Sequence, residues 1–240
     1  MATLLQIPDW VNGPVRRAFG VSDDFDHIVT GDTWTTLVAD TTPTVTVGDA
    51  AGGILALYTD TTDNNEVAVR TTKELFLFAA NKNLYGMAIA QYYEANTDDA
   101  NIYIGFANAI GDNLMVDNGA GPKTSGSMCG FYKSDGDTLW SVIFSDSTTQ
   151  TKVQLTAANT LTRQAYTAGG SSYQTLEMEV EAISATDHRV AWFINGVCVY
   201  RKVGLSIANA TEMNFGFYAK TGGSQAETLN IDFAAAYQQR

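Results

Sequence analysis

Glu177, Glu179 and Glu181 come nearest to chemistry by type and spacing. Side chains at i and i+2 leave the same face of a β-strand about 6.6 Å apart. Glycoside hydrolysis uses two carboxyl groups about 5–5.5 Å apart for retention, or roughly 6.5–9.5 Å apart for inversion. Spacing alone therefore permits a pair. The residues between and before them, Leu176, Met178 and Val180, are apolar, which is the period of a strand with one dry and one wet face. On that reading the glutamates form a solvated outer row, and an acidic row of this kind also suits a basic partner surface.

Other constellations are thinner. His27 and His188 are the two histidines of the chain, and His188, beside Asp187 in a turn, is expected to be exposed. No G-x-S-x-G places a nucleophile for a serine triad, and two histidines with two cysteines offer no zinc spacing. Gly119-Ala-Gly-Pro-Lys123 lacks the Gly-Lys-Ser/Thr ending of a phosphate loop, so it reads as a plain loop. Asp60, Asp63, Asn64, Asn65, Asp98, Asp99, Asn101, Asp135 and Asp137 carry oxygens suited to calcium. They are equally the residues that turns require, and none sits in a D-x-[DN]-x-[DN]-G loop. The expectation is no catalytic activity, no catalytic or cofactor-binding residue, and no cofactor, with calcium the one ion these turns could hold.

The elements that must carry these residues are short strands. Asn195-Gly196 between two apolar runs predicts a hairpin with a type I′ turn, because both central residues need φ > 0. Strands are expected at Phe25–Val29, Trp34–Leu37, Thr44–Val47, Ile54–Thr59, Glu66–Thr71, Leu75–Ala79, Tyr85–Tyr93 and Ile102–Ala107. Others are expected at Gly130–Lys133, Leu139–Ser145, Lys152–Leu155, Gln174–Ala182, Arg189–Ile194, Val197–Val203, Asn214–Lys220 and Thr228–Tyr237. Long amphipathic helical patterns are absent, so the fold class is all-β, an antiparallel β-sandwich. Phe131, Phe215, Phe217, Trp140 and Trp192 are its core candidates. Residues 111–128 form the longest stretch without strand pattern, and long loops in compact domains are often functional.

The chain has 240 residues, 45% hydrophobic and 17% charged, with 21 Gly and 4 Pro, which suits one large sandwich with many tight turns. Its net charge of −12 repels phosphate backbones and anionic bilayers, so neither nucleic acid nor membrane is an expected partner. No run approaches the roughly 18 apolar residues of a membrane span. The first twenty residues lack a basic n-region and an apolar h-region, which predicts synthesis and folding in a cytoplasm. Cys129 and Cys198 lie in apolar runs and read as free thiols packed as small hydrophobes. Residues 1–22 differ from the rest, being broken by Pro8, Gly13 and Pro14. They read as an N-terminal arm with Ile7, Trp10, Val11, Val15 and Phe19 as contact residues, covering the domain's own edge or reaching a neighbour. Residues 23–240 form the sandwich domain.

Asp23–Asp26 with Trp34, the strand Gly52–Asp60, the strand Ile102–Asn108, the Val190–Tyr200 hairpin and the closing runs MNFGFYAK and TLNIDFAAAY resemble the concanavalin A-like lectin/glucanase jelly rolls in order and spacing. That resemblance covers most of the chain and implies a jelly-roll sandwich with first and last strands close together. The family's hydrolases show E-x-D-x-x-E on one strand, whereas here the string is E-M-E-V-E. Its lectins often bind calcium on loops, which would involve the Asp and Asn turns above.

In style the acidic, Thr- and Ala-rich chain with a short arm resembles a virion protein of a tailed bacteriophage. The function expected on that basis is a structural capsid decoration protein, made in the host cytoplasm and located in the virion. Its partners would be the major capsid protein or other virion proteins, in a homo-oligomer such as a trimer. The alternative is a lectin-like module of a tail or fibre that binds glycan for host adsorption, with Tyr92, Tyr93, Tyr166 and Tyr173 as exposed aromatics.

Overall fold

The computed structural model describes residues 18–40, 42–48, 52–94, 99–184, 187–207 and 210–240. The strands are β1 (Ala18–Asp23), β2 (Trp34–Val38), β3 (Thr44–Gly48), β4 (Ile54–Tyr58), β5 (Glu66–Thr71) and β6 (Leu84–Glu94). Next come β7 (Ala100–Ala107), β8 (Met115–Val116), β9 (Gly121–Pro122), β10 (Ser127–Lys133), β11 (Ser141–Asp146) and β12 (Gln150–Gln154). The last are β13 (Gln174–Ala182), β14 (His188–Ile194), β15 (Val197–Leu205), β16 (Asn214–Thr221) and β17 (Glu227–Gln239). No helix occurs among the described residues.

An eight-stranded sheet runs β15-β14-β13-β6-β17-β4-β3, with β1 also paired to β17, and a seven-stranded sheet runs β12-β11-β10-β7-β16-β5-β2. Every ladder is antiparallel, including β1 with β17, which brings the start of the described chain beside its end. Alternate residues of both sheets meet in one core: Leu57, Met178, Trp192 and Ile231 from one side, Val69, Ile104, Phe131 and Phe217 from the other. Trp140 and Phe215 are buried in the same cluster. Gly86 faces that core because a Cβ there would meet Phe106 at 2.5 Å and Phe215 at 2.9 Å. The hairpin turn is as expected, with Asn195 at φ 52° and Gly196 at φ 75°. Both cysteines are free, Cys129 buried and Cys198 half-buried.

Two expected strands are absent. After β1 the chain turns at Phe25, at φ 54°, where the backbone N–H of Phe25 donates to Asp23 Oδ1 at 2.8 Å. The Phe25 ring then drops onto Trp34 and Phe217, so its apolar character serves a turn, not a ladder. Residues 75–79 make only bridges, at Phe76 to Met213 and Ala79 to Lys82. The eight-stranded sheet takes in Ala18–Ser22 from the segment assigned to the arm, and Phe19 stacks on Phe76 with ring centroids 6.3 Å apart. Ile7, Trp10, Val11 and Val15 lie outside the described residues.

His188 is buried, not exposed. The strand β14 starts at His188 and gives it the inward parity of Val190 and Trp192, so the turn ends one residue earlier than its composition indicates.

Candidate functional site

The two outer faces of the sandwich differ. On the seven-stranded sheet, register places Gly216, Gly105 and Gly130 in one row and Tyr218, Tyr103 and Tyr132 in the next. Gly130 is required here, because a Cβ would lie 2.9 Å from the Tyr103 hydroxyl, which donates to the Phe106 carbonyl at 2.5 Å. This face is covered by the long segment after β7. Ile110, Leu114 and Met115 are fully buried against Ala68, Tyr103, Met128 and Tyr218 in a second apolar cluster. The stretch that lacks strand pattern is thus a built cover carrying the small β8–β9 pair.

Two buried ionisable side chains tie that cover to the sheet. Both carboxylate oxygens of Glu66 accept from the backbone N–H of Asn113, at 2.9 and 3.1 Å, and Oε2 also accepts from the Tyr218 hydroxyl. Lys220, 1% exposed, pairs with Asp117 and reaches the Asn113 side-chain oxygen and the Met115 carbonyl. Burial pushes the Glu66 carboxyl up to about 7, with a hydrogen bond to Asp112 adding to it against Tyr218, the Asn113 amide and Lys220. The Tyr218 phenol is raised by burial and then by Glu66.

The outer face of the eight-stranded sheet is open at one end. There Thr44, Tyr58, Thr228 and Tyr93 lie in one cross-strand row, and Thr46, Ala56, Asn230 and Gln91 in the next. Tyr58 and Tyr93 are 44% and 59% exposed, which is unusual for side chains of this size on a strand. They stand two strands apart, about 10 Å. Between them Asn230 Nδ2 donates to Gln91 Oε1 at 3.2 Å, and Gln91 Nε2 donates to the Ser171 carbonyl at 2.7 Å. Tyr173 follows on that same loop, and after burial the nearby Asp232 raises its phenol pKa.

The three glutamates occupy the other end of this face and are half-buried. Glu177 accepts from the Tyr85 hydroxyl at 2.9 Å, and Glu181 pairs with Arg189. Burial raises both Glu177 and Glu179; Tyr85 opposes the rise of Glu177 and Glu179 adds to it, while Glu181 adds to the rise of Glu179. The row is therefore a partnered, partly desolvated set and not a freely solvated one. Of the aromatics expected to be exposed, Tyr93 and Tyr173 are. Tyr92 points inward from the same strand and Tyr166 packs on the core. Tyr58, Asn230 and Gln91 were missed, although Leu55 and Leu57 fix the parity that turns Tyr58 outward.

Among the candidate calcium ligands, Asp60 accepts from the Thr62 backbone N–H and from Asn65, as a turn cap does. Asp63, Asp99 and Asp135 are close enough to interact: burial first, and then Asp99 and Asp63, raise the Asp135 pKa. Their oxygens do not converge on one point, however; among the described residues the three carboxylates whose oxygens lie within 4.8 Å of one another are Asp23, Asp24 and Asp26. Asp98 lies outside the described residues.

Neither a protein-family model nor a curated protein matches the sequence. Solved structures share its fold. An endo-1,3-β-glucanase from Streptomyces sioyaensis is 13% identical with a TM-score of 0.57, over 95% of this chain and 98% of that one. An endo-β-1,4-glucuronan lyase from Trichoderma reesei is 9% identical with a TM-score of 0.58, over 92% and 94%. The carbohydrate recognition domain of Emp46p, in a potassium-bound form, is 11% identical with a TM-score of 0.54, over 85% and 88%. The fold is therefore a jelly-roll β-sandwich of the kind that these proteins share, as the order of motifs implied. At these identities the likeness is one of fold. Nothing in it supports a phage virion component. It also overturns the expectation of no enzymatic activity: that expectation rested on a missing strand motif, and the fold is one that a lyase and a glucanase use.

Proposed function

We propose that the protein recognises carbohydrate, with the ligand lying across the open end of the eight-stranded sheet. The observation that carries this reading is the exposed pair Tyr58 and Tyr93 in one row, beside the amide ladder of Asn230 and Gln91. Tyrosine rings offer flat apolar faces to the C–H side of a pyranose, and neighbouring amides and threonines bond its hydroxyls. The chain's charge of −12 favours neutral glycans over uronates or sulfated chains. The fold neighbours that bind or process glycans support the same reading without specifying the sugar. Calcium is an optional element of this proposal.

A panel of neutral and anionic polysaccharides, with and without calcium, tests it, scored both for bound and for released sugar. Binding of a neutral glycan that weakens in Tyr58→Ala and in Tyr93→Ala supports the reading. No binding at millimolar ligand removes it. A homo-oligomer, expected as a trimer, would multiply weak glycan contacts, and sedimentation tests its existence. In a virion the same face would serve adsorption to a host, which co-sedimentation with particles tests.

A further inference from the structure

We propose that the ligand of the Tyr58 and Tyr93 face is a single, extended, neutral β-1,4-linked glycan chain lying across the strands, with three consecutive sugars over Tyr58, Thr228 and Tyr93. This rests on the carbohydrate reading above and adds linkage, length and direction to it. Tyr58 on β4 and Tyr93 on β6 each stand opposite Thr228 on β17, so their stems leave one face two strand spacings apart, about 10 Å. Both rings are exposed, and the side chain between them is short and half-buried, so a ligand rests on the two rings without meeting a ridge. Thr44 on the edge strand β3 continues the row beyond Tyr58. Thr46, Ala56, Asn230 and Gln91 form the next row, about 6.6 Å along the strands, which sets the Asn230 and Gln91 amides along one edge of the ligand.

Pyranoses joined by equatorial β-1,4 bonds make a ribbon in which each sugar is turned over relative to the last. Sugars n and n+2 therefore present the same face, and the two-sugar repeat is close in length to two strand spacings. Rings on β4 and β6 meet sugars n and n+2, while sugar n+1 lies over Thr228. An α-1,4 chain coils and a β-1,3 chain curves, so neither keeps two like faces in a straight line at that spacing. Sheet twist of about 20–25° per strand also turns the stem of Tyr93 about 40–50° from that of Tyr58. A free chain follows that turn by rotating about its glycosidic bonds, whereas the flat surface of a crystalline polysaccharide does not meet both rings squarely.

Titration calorimetry on the full chain tests this with β-1,4-linked gluco- and manno-oligosaccharides of two to five sugars, beside α-1,4- and β-1,3-linked glucotetraoses. In at least one β-1,4 series the Kd should fall roughly tenfold from disaccharide to trisaccharide, the first length that reaches both rings, and change little beyond the tetrasaccharide. The α-1,4 and β-1,3 chains should bind roughly tenfold more weakly or worse. In Tyr58→Ala and in Tyr93→Ala the step between two and three sugars should vanish, because one ring remains; a general loosening of the fold would weaken every length alike. Binding without that step, or binding of the α-1,4 or β-1,3 chain as tight as that of the β-1,4 chain, overturns this inference and leaves carbohydrate recognition standing. Failure of every glycan to bind, neutral or anionic, removes both.

Discussion

Tyr58 and Tyr93 stand on either side of Thr228 in a single cross-strand row, both facing solvent from the eight-stranded sheet. Neither ring belongs to the core, so removing either should leave the fold alone and act on ligand binding. Each alanine variant is expected to raise the Kd for the bound glycan roughly tenfold, about 1.4 kcal/mol. Urea unfolding of the same variants should shift by less than about 0.5 kcal/mol, as surface changes do. Titration calorimetry beside the urea curves separates the two effects.

Gly86 is a packing requirement. With Phe106 and Phe215 rings where its Cβ would stand, Gly86→Ala must push aromatic side chains in a filled core. A loss of about 1–3 kcal/mol is expected, read as a lower urea midpoint at unchanged slope.

His188 should make the fold acid-sensitive. Burial lowers its pKa, against smaller opposite effects of the Ala79 carbonyl and Asp187. The unfolded chain, with His near about 6.5, then binds more protons than the folded one below that pH. Stability from this group is complete above about pH 6.5 and falls as pH drops through the lower folded value, by at most about 1.4 kcal/mol per pH unit. Thermal unfolding from neutral to mildly acidic pH should show a steeper fall in wild type than in His188→Gln. Parallel curves would exclude His188 as the sensor.

Gly196 sits at φ 75° in the β14–β15 turn, next to Asn195, whose side-chain oxygen accepts from the Thr175 N–H at 2.9 Å. Gly196→Ala should cost about 1 kcal/mol, because a Cβ disfavours that backbone region. Urea unfolding measures it directly.

Much of the architecture is local and so was legible beforehand. Strand period in Leu176–Glu181, the Asn195-Gly196 turn and the alternation Phe215, Phe217 depend on neighbours within a few residues, and backbone geometry translates them into the same elements in the folded chain. The order of those elements carried the jelly roll. What failed or stayed hidden depends on residues far apart in the chain. Phe25 left its expected strand because Trp34 and Phe217 offered its ring a better place than a ladder did. His188 became buried through strand parity set by pairing with Ala182 and Leu205. The Glu66 and Tyr218 pair and the Tyr58 and Tyr93 row join positions separated by 35 to over 150 residues. Only sheet register, which is decided by burying one face of every strand at once, brings them together.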